Sequence, residues 1–198
     1  MSSPAIILLG DNSQGGTYLL RIRVAPTFTM SFGRFRKGKL IEVPAGECVY
    51  VGSALGKRGA TGLGRRLVRH ASRSESQKPH LIREQLLAQF AMARLGQGNL
   101  RPKQPKRLYW NIDHLLDRPE AELTHIIAIR SQFRLEGPLG QMLEQDQHTF
   151  ILEKGLGAND LPGHTHLLGV RADETWWSTL PTRVQQLLAE SDHPPDTQ

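Results

Sequence analysis

Three segments of the chain carry residues that could hold a phosphate ester. Gly16-Thr17-Tyr18 and Tyr50-Val51-Gly52 each combine a glycine with a tyrosine, and the later segment 62–70 contains Arg66 and His70. Tyrosine offers a hydroxyl on a rigid apolar ring. Arginine offers a permanently charged fork that matches phosphate oxygens. In this order, the segments can place two phenols, a guanidinium and an imidazole around one phosphate group.

The two tyrosines are predicted to lie on a pair of antiparallel strands. From Thr17 onward, apolar and charged residues alternate, which predicts a strand with one buried face. A Pro44-Ala45-Gly46 turn introduces a second predicted strand at 47–52, which carries Tyr50. Tyr18 falls in phase with the apolar residues of its strand, so a core role for either tyrosine is the plainer alternative.

A helix at about 63–72 is predicted to present the cationic side chains. Arg66 and His70 are four residues apart and therefore share one face of that helix, with Arg69 beside them. Two alternatives stay open. Arg66 could simply join Arg65 and Arg69 on a nucleic-acid-binding face, and His70 could cap the end of the helix.

The remaining pattern predicts a mixed α/β protein with one main domain. Further strands are predicted at 5–9 and 123–129, and further helices at 79–95, 133–144 and 178–190. Residues 1–170 form the predicted domain, and 171–198 form a C-terminal helix and tail. The single cysteine, Cys48, cannot form an internal disulfide and is expected to be a small buried apolar group.

Charge divides the chain into a basic part and an acidic part. Residues 1–107 carry 19 Lys and Arg against 5 Asp and Glu, whereas residues 108–198 carry 6 against 14. The basic part predicts a polyanionic partner, with binding that weakens as salt is added. The acidic part could supply metal-binding carboxylates or solvated surface.

The sequence gives no indication of a membrane protein. No stretch approaches the ~20 apolar residues of a membrane span, and the first residues lack the basic segment of a secretory signal. A cytoplasmic location without membrane contact is therefore expected.

The chain resembles the GIY-YIG nuclease superfamily, and more closely its Uri-type branch. The two tyrosine segments match the first and second motifs, and residues 62–70 match the helix that follows. Residues 110–116 resemble the tryptophan–isoleucine–aspartate segment of the branch, and 157–167 resemble its C-terminal signature. Glu136, within Arg134-Leu135-Glu136, fits the position of the metal-binding glutamate. Residues 74–106 look like a basic, helix-containing insertion.

This resemblance implies a central three-stranded antiparallel sheet flanked by helices, and an endonuclease that hydrolyses phosphodiester bonds in DNA, or less favourably RNA. Glu136 would bind Mg²⁺ or Mn²⁺, and Arg66 would clamp the phosphate. Tyr18 or Tyr50 would orient or deprotonate the attacking water, the second role requiring a cation to lower the phenol pKa. His70 would assist proton transfer or contact phosphate. Nucleic-acid contacts are expected from four cationic residues: Lys57, Arg58, Arg65 and Arg69.

Several of these residues also have a simpler structural interpretation. Glu136 could simply begin a helix at a favourable dipole position. Trp110 is expected to pack against its neighbours. His164 and His166 are expected to form a loop network with Asp160 rather than to bind a metal. Where the branch carries cysteines, this chain has Gly137, Leu161 and Gly163, and it has Asn111 in place of a histidine.

These departures and the basic half motivate an alternative hypothesis, a non-catalytic nucleic-acid-binding module. A third, a protein-interaction adaptor, would require an exposed apolar patch. The sequence does not indicate the oligomeric state.

Overall fold

The fold combines eight strands with five helices in the part of the chain that the computed structural model describes, residues 4–56, 61–75, 77–158 and 163–192. The strands are β1 (Ile6–Gly10), β2 (Gly16–Val24), β3 (Phe28–Ser31), β4 (Leu40–Val43), β5 (Gly46–Ala54), β6 (Ala121–Arg130), β7 (Thr149–Ile151) and β8 (Leu167–Val170). The helices are α1 (Leu63–His70), α2 (Arg83–Met92), α3 (Asn111–Leu116), α4 (Glu136–Glu144) and α5 (Glu174–Asp192). Lys57, Arg58 and Asp160 lie outside the described residues.

Six of the strands form one mixed sheet in the order β1-β6-β2-β5-β8-β7, and β3 pairs with β4 in a separate ribbon. The β1–β6 pair is parallel and the other pairs are antiparallel. The predicted α/β class is confirmed, but the predicted three-stranded sheet is wrong because the sheet is larger. The added strands β7 and β8 are only three and four residues long, too short to show a clear alternation of apolar and polar residues.

The sheet is buried on both faces, which corrects the prediction that β2 has only one buried face. On one face of β2, Tyr18 and Leu20 join the core beneath helices α1, α2 and α3. On the other face, Leu19 joins a second core beneath α4 and α5. Arg21 is buried on that second face because Glu47 and Glu174 pair with it and its guanidinium lies 4.4 Å from the Trp177 ring. The charge of Arg21 therefore predicted an exposed face of β2 that is in fact buried.

The basic segment 74–106 and the C-terminal helix are both integrated into these cores. Leu86 and Phe90 of α2 are fully buried in the first core. Trp177 and Val184 of α5 are buried in the second. Neither segment is simply appended to the surface of the sheet, and Cys48 is buried in the first core as predicted.

Strand register brings the two tyrosine segments side by side. In the antiparallel β2–β5 pair, Tyr18 lies opposite Gly52 and Leu20 lies opposite Tyr50. A Cβ atom at position 52 would lie only 2.5 Å from the Tyr18 hydroxyl, so the glycine leaves the space that the phenol occupies. A Cβ at Gly16 would lie 1.9 Å from the Ile129 carbonyl oxygen on β6. Gly52 is therefore required by the packing of Tyr18, and Gly16 by the close approach of the β6 backbone.

In the described part of the chain, no helix is both long enough and apolar enough to cross a lipid bilayer.

Candidate active site

A buried chain of hydrogen-bonding groups runs from β2 through α1 to α3. The Tyr18 hydroxyl lies 2.8 Å from Nε2 of His70, and Nδ1 of His70 lies 3.5 Å from Oδ1 of Asp113. Because the carboxylate faces Nδ1, the ring proton belongs on Nδ1 and the Tyr18 hydroxyl donates to Nε2. His70 is fully buried, so it does not act as a surface cap of α1. Its role is to connect the phenol to Asp113.

Burial sets the protonation of these groups. It lowers the pKa of His70 to about 4, although the neighbouring Asp113 opposes the shift. At neutral pH His70 is therefore an uncharged imidazole. Burial would raise the pKa of Asp113, but His70, Lys106 and Arg69 outweigh it and hold that pKa well below the ordinary value. Asp113 is thus an ionised carboxylate with no exposed surface.

Asp113 is the centre of a dense set of internal contacts. Arg69 donates to both carboxylate oxygens at 2.9 Å, and Nζ of Lys106 lies 3.7 Å from Oδ1. The backbone N–H groups of Tyr109 and Trp110 also donate to Oδ2, each at 3.0 Å. This network fixes the start of α3 against α1. Asp113 lies within the segment 110–116, for which no role of this carboxylate was predicted, and its position between apolar residues of a short helix was the available signal.

Two cations of the basic half, Arg69 and Lys106, are used internally, and Arg69 was expected on a nucleic-acid surface. Both terminal nitrogens of Arg69 are bonded within the protein, to Asp113 and to the Arg107 carbonyl oxygen. Lys106 is buried and donates to the Ser72 carbonyl oxygen at 3.0 Å. Burial lowers the Lys106 pKa to about 8. Arg65 is partly exposed and donates to the Gln97 carbonyl oxygen at 3.1 Å.

The Arg66 guanidinium packs on an aromatic ring and, unlike that of Arg69, is not paired with a carboxylate among the described residues. The Arg66 Cζ atom lies 3.7 Å from the centre of the Trp110 ring, a distance typical of a cation–π contact. Its buried Nε has no hydrogen-bond partner among the described residues. Trp110, which was expected to serve packing, therefore supports the arginine. Arg66 is partly exposed and forms no ion pair with a carboxylate in the described part of the chain, so its charge remains available to an anion.

Glu136 is the first residue of α4 and is held by neighbours on two other elements. Ser53 of β5 donates to Oε2, and Nδ1 of His166 lies 3.2 Å from Oε1. Burial would raise the Glu136 pKa, but His166 and Ser53 outweigh it and lower the pKa below the ordinary value. The carboxylate is therefore ionised at neutral pH. Thr17 of β2 accepts the N–H of Leu135 at 3.3 Å, which anchors the start of α4 beside the tyrosine strand.

Arg66 and Glu136 both influence the pKa values of Tyr18 and Tyr50. Burial raises the pKa of Tyr18 and of Tyr50, while Arg66 lowers both values and Glu136 raises both. The two tyrosine rings lie 6.2 Å apart, and each lies within 6.4 Å of the His70 ring. The structure therefore brings together four of the residues singled out from the sequence, Tyr18, Tyr50, Arg66 and His70, and Glu136 at the start of α4 lies within electrostatic range of both phenols.

The phenols are better suited to orienting a group than to removing a proton from it. Arg66 does not compensate for burial, since the pKa of each phenol remains above its ordinary value. Tyr18 and Tyr50 are thus neutral hydroxyls at neutral pH. Of the two roles predicted for them, this geometry favours orientation.

The residues present suit a divalent cation that keeps most of its water. No group of three His, Cys, Asp or Glu side chains able to hold a metal occurs in residues 4–56, 61–75, 77–158 and 163–192. Mg²⁺ commonly uses one or two carboxylates together with water and substrate phosphate. Each Glu136 oxygen has a second lone pair beyond its contact with Ser53 or His166. One ionised carboxylate at this position fits such an ion.

Comparison with known proteins places the chain in a family. The family described as Domain of unknown function DUF123 matches residues 17–189. The chain belongs to the DUF123 family. The match includes both tyrosine strands, the Asp113 network, Glu136 and most of α5 of this DUF123 protein. No curated protein and no solved structure matches the chain.

Proposed function

We propose that this DUF123 protein is a metal-dependent endonuclease of the GIY-YIG type that hydrolyses phosphodiester bonds, with DNA favoured over RNA. The supporting observation is that an arginine without an ion-pair partner among the described residues and an ionised glutamate lie within electrostatic range of the same two buried tyrosines. This is the combination that phosphoryl chemistry requires, because negative charge accumulates on the oxygens around phosphorus in the transition state.

Each residue has a task that follows from its contacts. Arg66, stacked on Trp110, binds a non-bridging phosphate oxygen and is already oriented before substrate arrives. The Tyr50 hydroxyl is placed to orient water or phosphate at the same cluster, and Tyr18 is locked by its hydrogen bond to His70. His70 is neutral and can accept a proton from the phenol side at Nε2 while Asp113 holds its ring.

Glu136 is the residue that would hold Mg²⁺ or Mn²⁺. When bound, such an ion supplies charge neutralisation at the phosphate and lowers the pKa of a coordinated water. Ser53 and His166 keep the Glu136 carboxylate oriented and ionised. Thr17 holds the backbone of α4 in register with the tyrosine strand.

The direct test is cleavage of labelled single-stranded, nicked and branched DNA, and of matched RNA, with Mg²⁺ or Mn²⁺. We expect Arg66→Ala to reduce the rate by about 10²–10³-fold, the usual loss when one electrostatic donor to a transition-state oxyanion is removed. Glu136→Gln is expected to abolish stimulation by the metal. Cutting that survives in the Arg66→Ala/Glu136→Gln double variant would refute the proposal.

Two control variants remove one charge each away from the cluster. Arg83→Ala removes an arginine of α2 that pairs with Glu84, and Glu144→Gln removes a carboxylate at the opposite end of α4. Both are expected to change the cleavage rate by less than about threefold. A loss equal to that of Arg66→Ala or Glu136→Gln would indicate a general effect of charge.

The raised pKa values of the two phenols favour a second candidate, a nucleic-acid-binding module without hydrolysis. This module would bind DNA through Arg66 with a strong dependence on salt. It predicts no cleavage product under any metal condition and little effect of Glu136→Gln on binding.

A further inference from the structure

A cleft beside the cluster carries an exposed aromatic ring that the proposed reaction does not use. The cleft lies between the segment 32–35 and the residues around α3, and its lining includes Arg34, Phe35 and Tyr109. The chain contains three tyrosines. Tyr18 and Tyr50 are buried, whereas Tyr109 is 76% exposed. A large exposed aromatic ring in a cleft has no evident role in stability.

Tyr109 is connected directly to the residue that supports Arg66. Its ring packs edge-on against Trp110 with the ring centres 5.1 Å apart, and the same indole lies 3.7 Å from the Arg66 guanidinium. The distance from Tyr109 to the phosphate-binding arginine is therefore at most the sum of these two contacts. The Tyr109 backbone is fixed by its hydrogen bond to Asp113. The ring thus stands on a rigid support next to the proposed phosphate position.

The charges around this cleft match a nucleic-acid strand. Arg34 lines the cleft and is exposed, and Arg107 precedes the aromatic pair and is exposed as well. Arg36 and Lys39, by contrast, are paired with Glu153. Proteins that hold single strands combine cationic grooves with aromatic rings on which bases stack.

We propose that Tyr109 is a stacking platform for an unpaired nucleobase next to the scissile phosphate. This inference rests on the proposed function and narrows its substrate class to single-stranded or flapped nucleic acid. A base within a duplex is stacked on its neighbours and cannot present its face to Tyr109. Strands with an unpaired base at this position therefore bind more tightly than blunt duplexes.

The test compares affinities for a fluorescently labelled single-stranded oligonucleotide and for a blunt duplex of the same sequence, measured in EDTA so that cleavage does not interfere. Tyr109→Ala is expected to weaken single-strand binding by about 5- to 100-fold, the usual loss for one base–aromatic stack. Duplex affinity is expected to change less than twofold. Tyr109→Phe retains the ring and is expected to bind like the wild type.

Two further measurements make the result specific. Leu81→Ala removes another large exposed side chain, 87% exposed at the start of the α2 region, and is expected to leave both affinities unchanged. Nitration by tetranitromethane reports on Tyr109, since the other two tyrosines are buried. The single strand is expected to slow this nitration and the duplex is not.

The outcomes separate this inference from the proposed function. If Tyr109→Ala binds single strands like the wild type, or loses single-strand and duplex affinity equally, the stacking platform is refuted while cleavage through Arg66 and Glu136 stands. If the wild-type protein binds no oligonucleotide at low salt, both proposals are refuted.

Discussion

The polar cluster of this protein has a closed end and an open end. At the closed end, the Asp113 carboxylate is fully buried and is surrounded by Arg69, Lys106 and His70. At the open end, buried Nε of Arg66 and Nε2 of His166 have no partner within the described residues. Nδ1 of His70 and Nδ1 of His166 form no regular hydrogen bond either, but each faces a carboxylate, Asp113 at 3.5 Å and Glu136 at 3.2 Å. Buried donors without partners cost stability. The difference indicates that the closed end holds the fold together and the open end is prepared for a ligand.

Two arginines of the same helix illustrate this division. Arg69 and Arg66 are three residues apart on α1, and both lie near the Trp110 ring, at 4.5 Å and 3.7 Å. Arg69 forms a bidentate ion pair with Asp113, which neutralises the charge of its guanidinium. Arg66 has no carboxylate within ion-pair distance in the described residues, so its charge remains available to a phosphate.

The largest expected effect comes from removing the carboxylate of the closed end. Asp113→Asn leaves Arg69 and the buried Lys106 without their counter-charge. We expect the free energy of unfolding to fall by about 3–5 kcal/mol, the usual cost of breaking a buried ion pair from one side. Urea unfolding at pH 7, followed by circular dichroism, measures this change.

The matched change at the open end is Glu136→Gln, which also converts a carboxylate into an amide. It is expected to alter the free energy of unfolding by less than about 1 kcal/mol, because the Glu136 side chain is partly exposed and Ser53 and His166 can bond the amide. Equal destabilisation by the two variants would contradict the division into a closed and an open end.

A smaller loss in the free energy of unfolding is expected when the pH is lowered. The unfolded chain protonates His70 near pH 6.5, whereas the folded protein does so only near pH 4. Between these values the unfolded state binds more protons, so stability is lost as the pH falls from about 6.5 to 4, by up to roughly 3 kcal/mol. Urea unfolding at a series of pH values measures the slope. The His70→Gln variant is expected to show a smaller dependence of the free energy of unfolding on pH. Some dependence remains because buried His80 also has a lowered pKa. An unchanged slope in this variant would exclude His70 as the source.

The sequence predicted the local elements that carry the site better than their long-range arrangement. The tyrosine strands and their antiparallel pairing were predicted because alternation of apolar residues and the turn at Pro44-Ala45-Gly46 are local signals. The parallel β1–β6 pair and the short strands β7 and β8 were missed. Their pairing depends on contacts between residues far apart in the chain, which no local pattern specifies.

The same limit applies to individual side chains. Arg66 and Glu136 were predicted from ordered motifs, and both lie within electrostatic range of the two tyrosines. Lysine is rarely buried, so no local pattern indicated that Lys106 lies beside Asp113. Ser53 and His166 gave no signal as partners of Glu136, because their contacts form only when β5, β8 and α4 meet.

A loss of stability smaller than those expected for Asp113→Asn and for acidification concerns the link between the two ends. Tyr18→Phe removes the hydroxyl that donates to His70 and leaves Nε2 of His70 as a buried acceptor without a partner. A loss of about 1–2 kcal/mol in the free energy of unfolding is expected. Tyr50→Phe is the control, since no hydrogen bond of the Tyr50 hydroxyl is seen among the described residues, and it should cost less than about 0.5 kcal/mol.

If Tyr50→Phe lowers the cleavage rate while stability is retained, Tyr50 belongs to the open end and Tyr18 to the closed one. Equal loss of stability in both variants would show that the two phenols are interchangeable core aromatics, and that the cluster has no functional division between its ends.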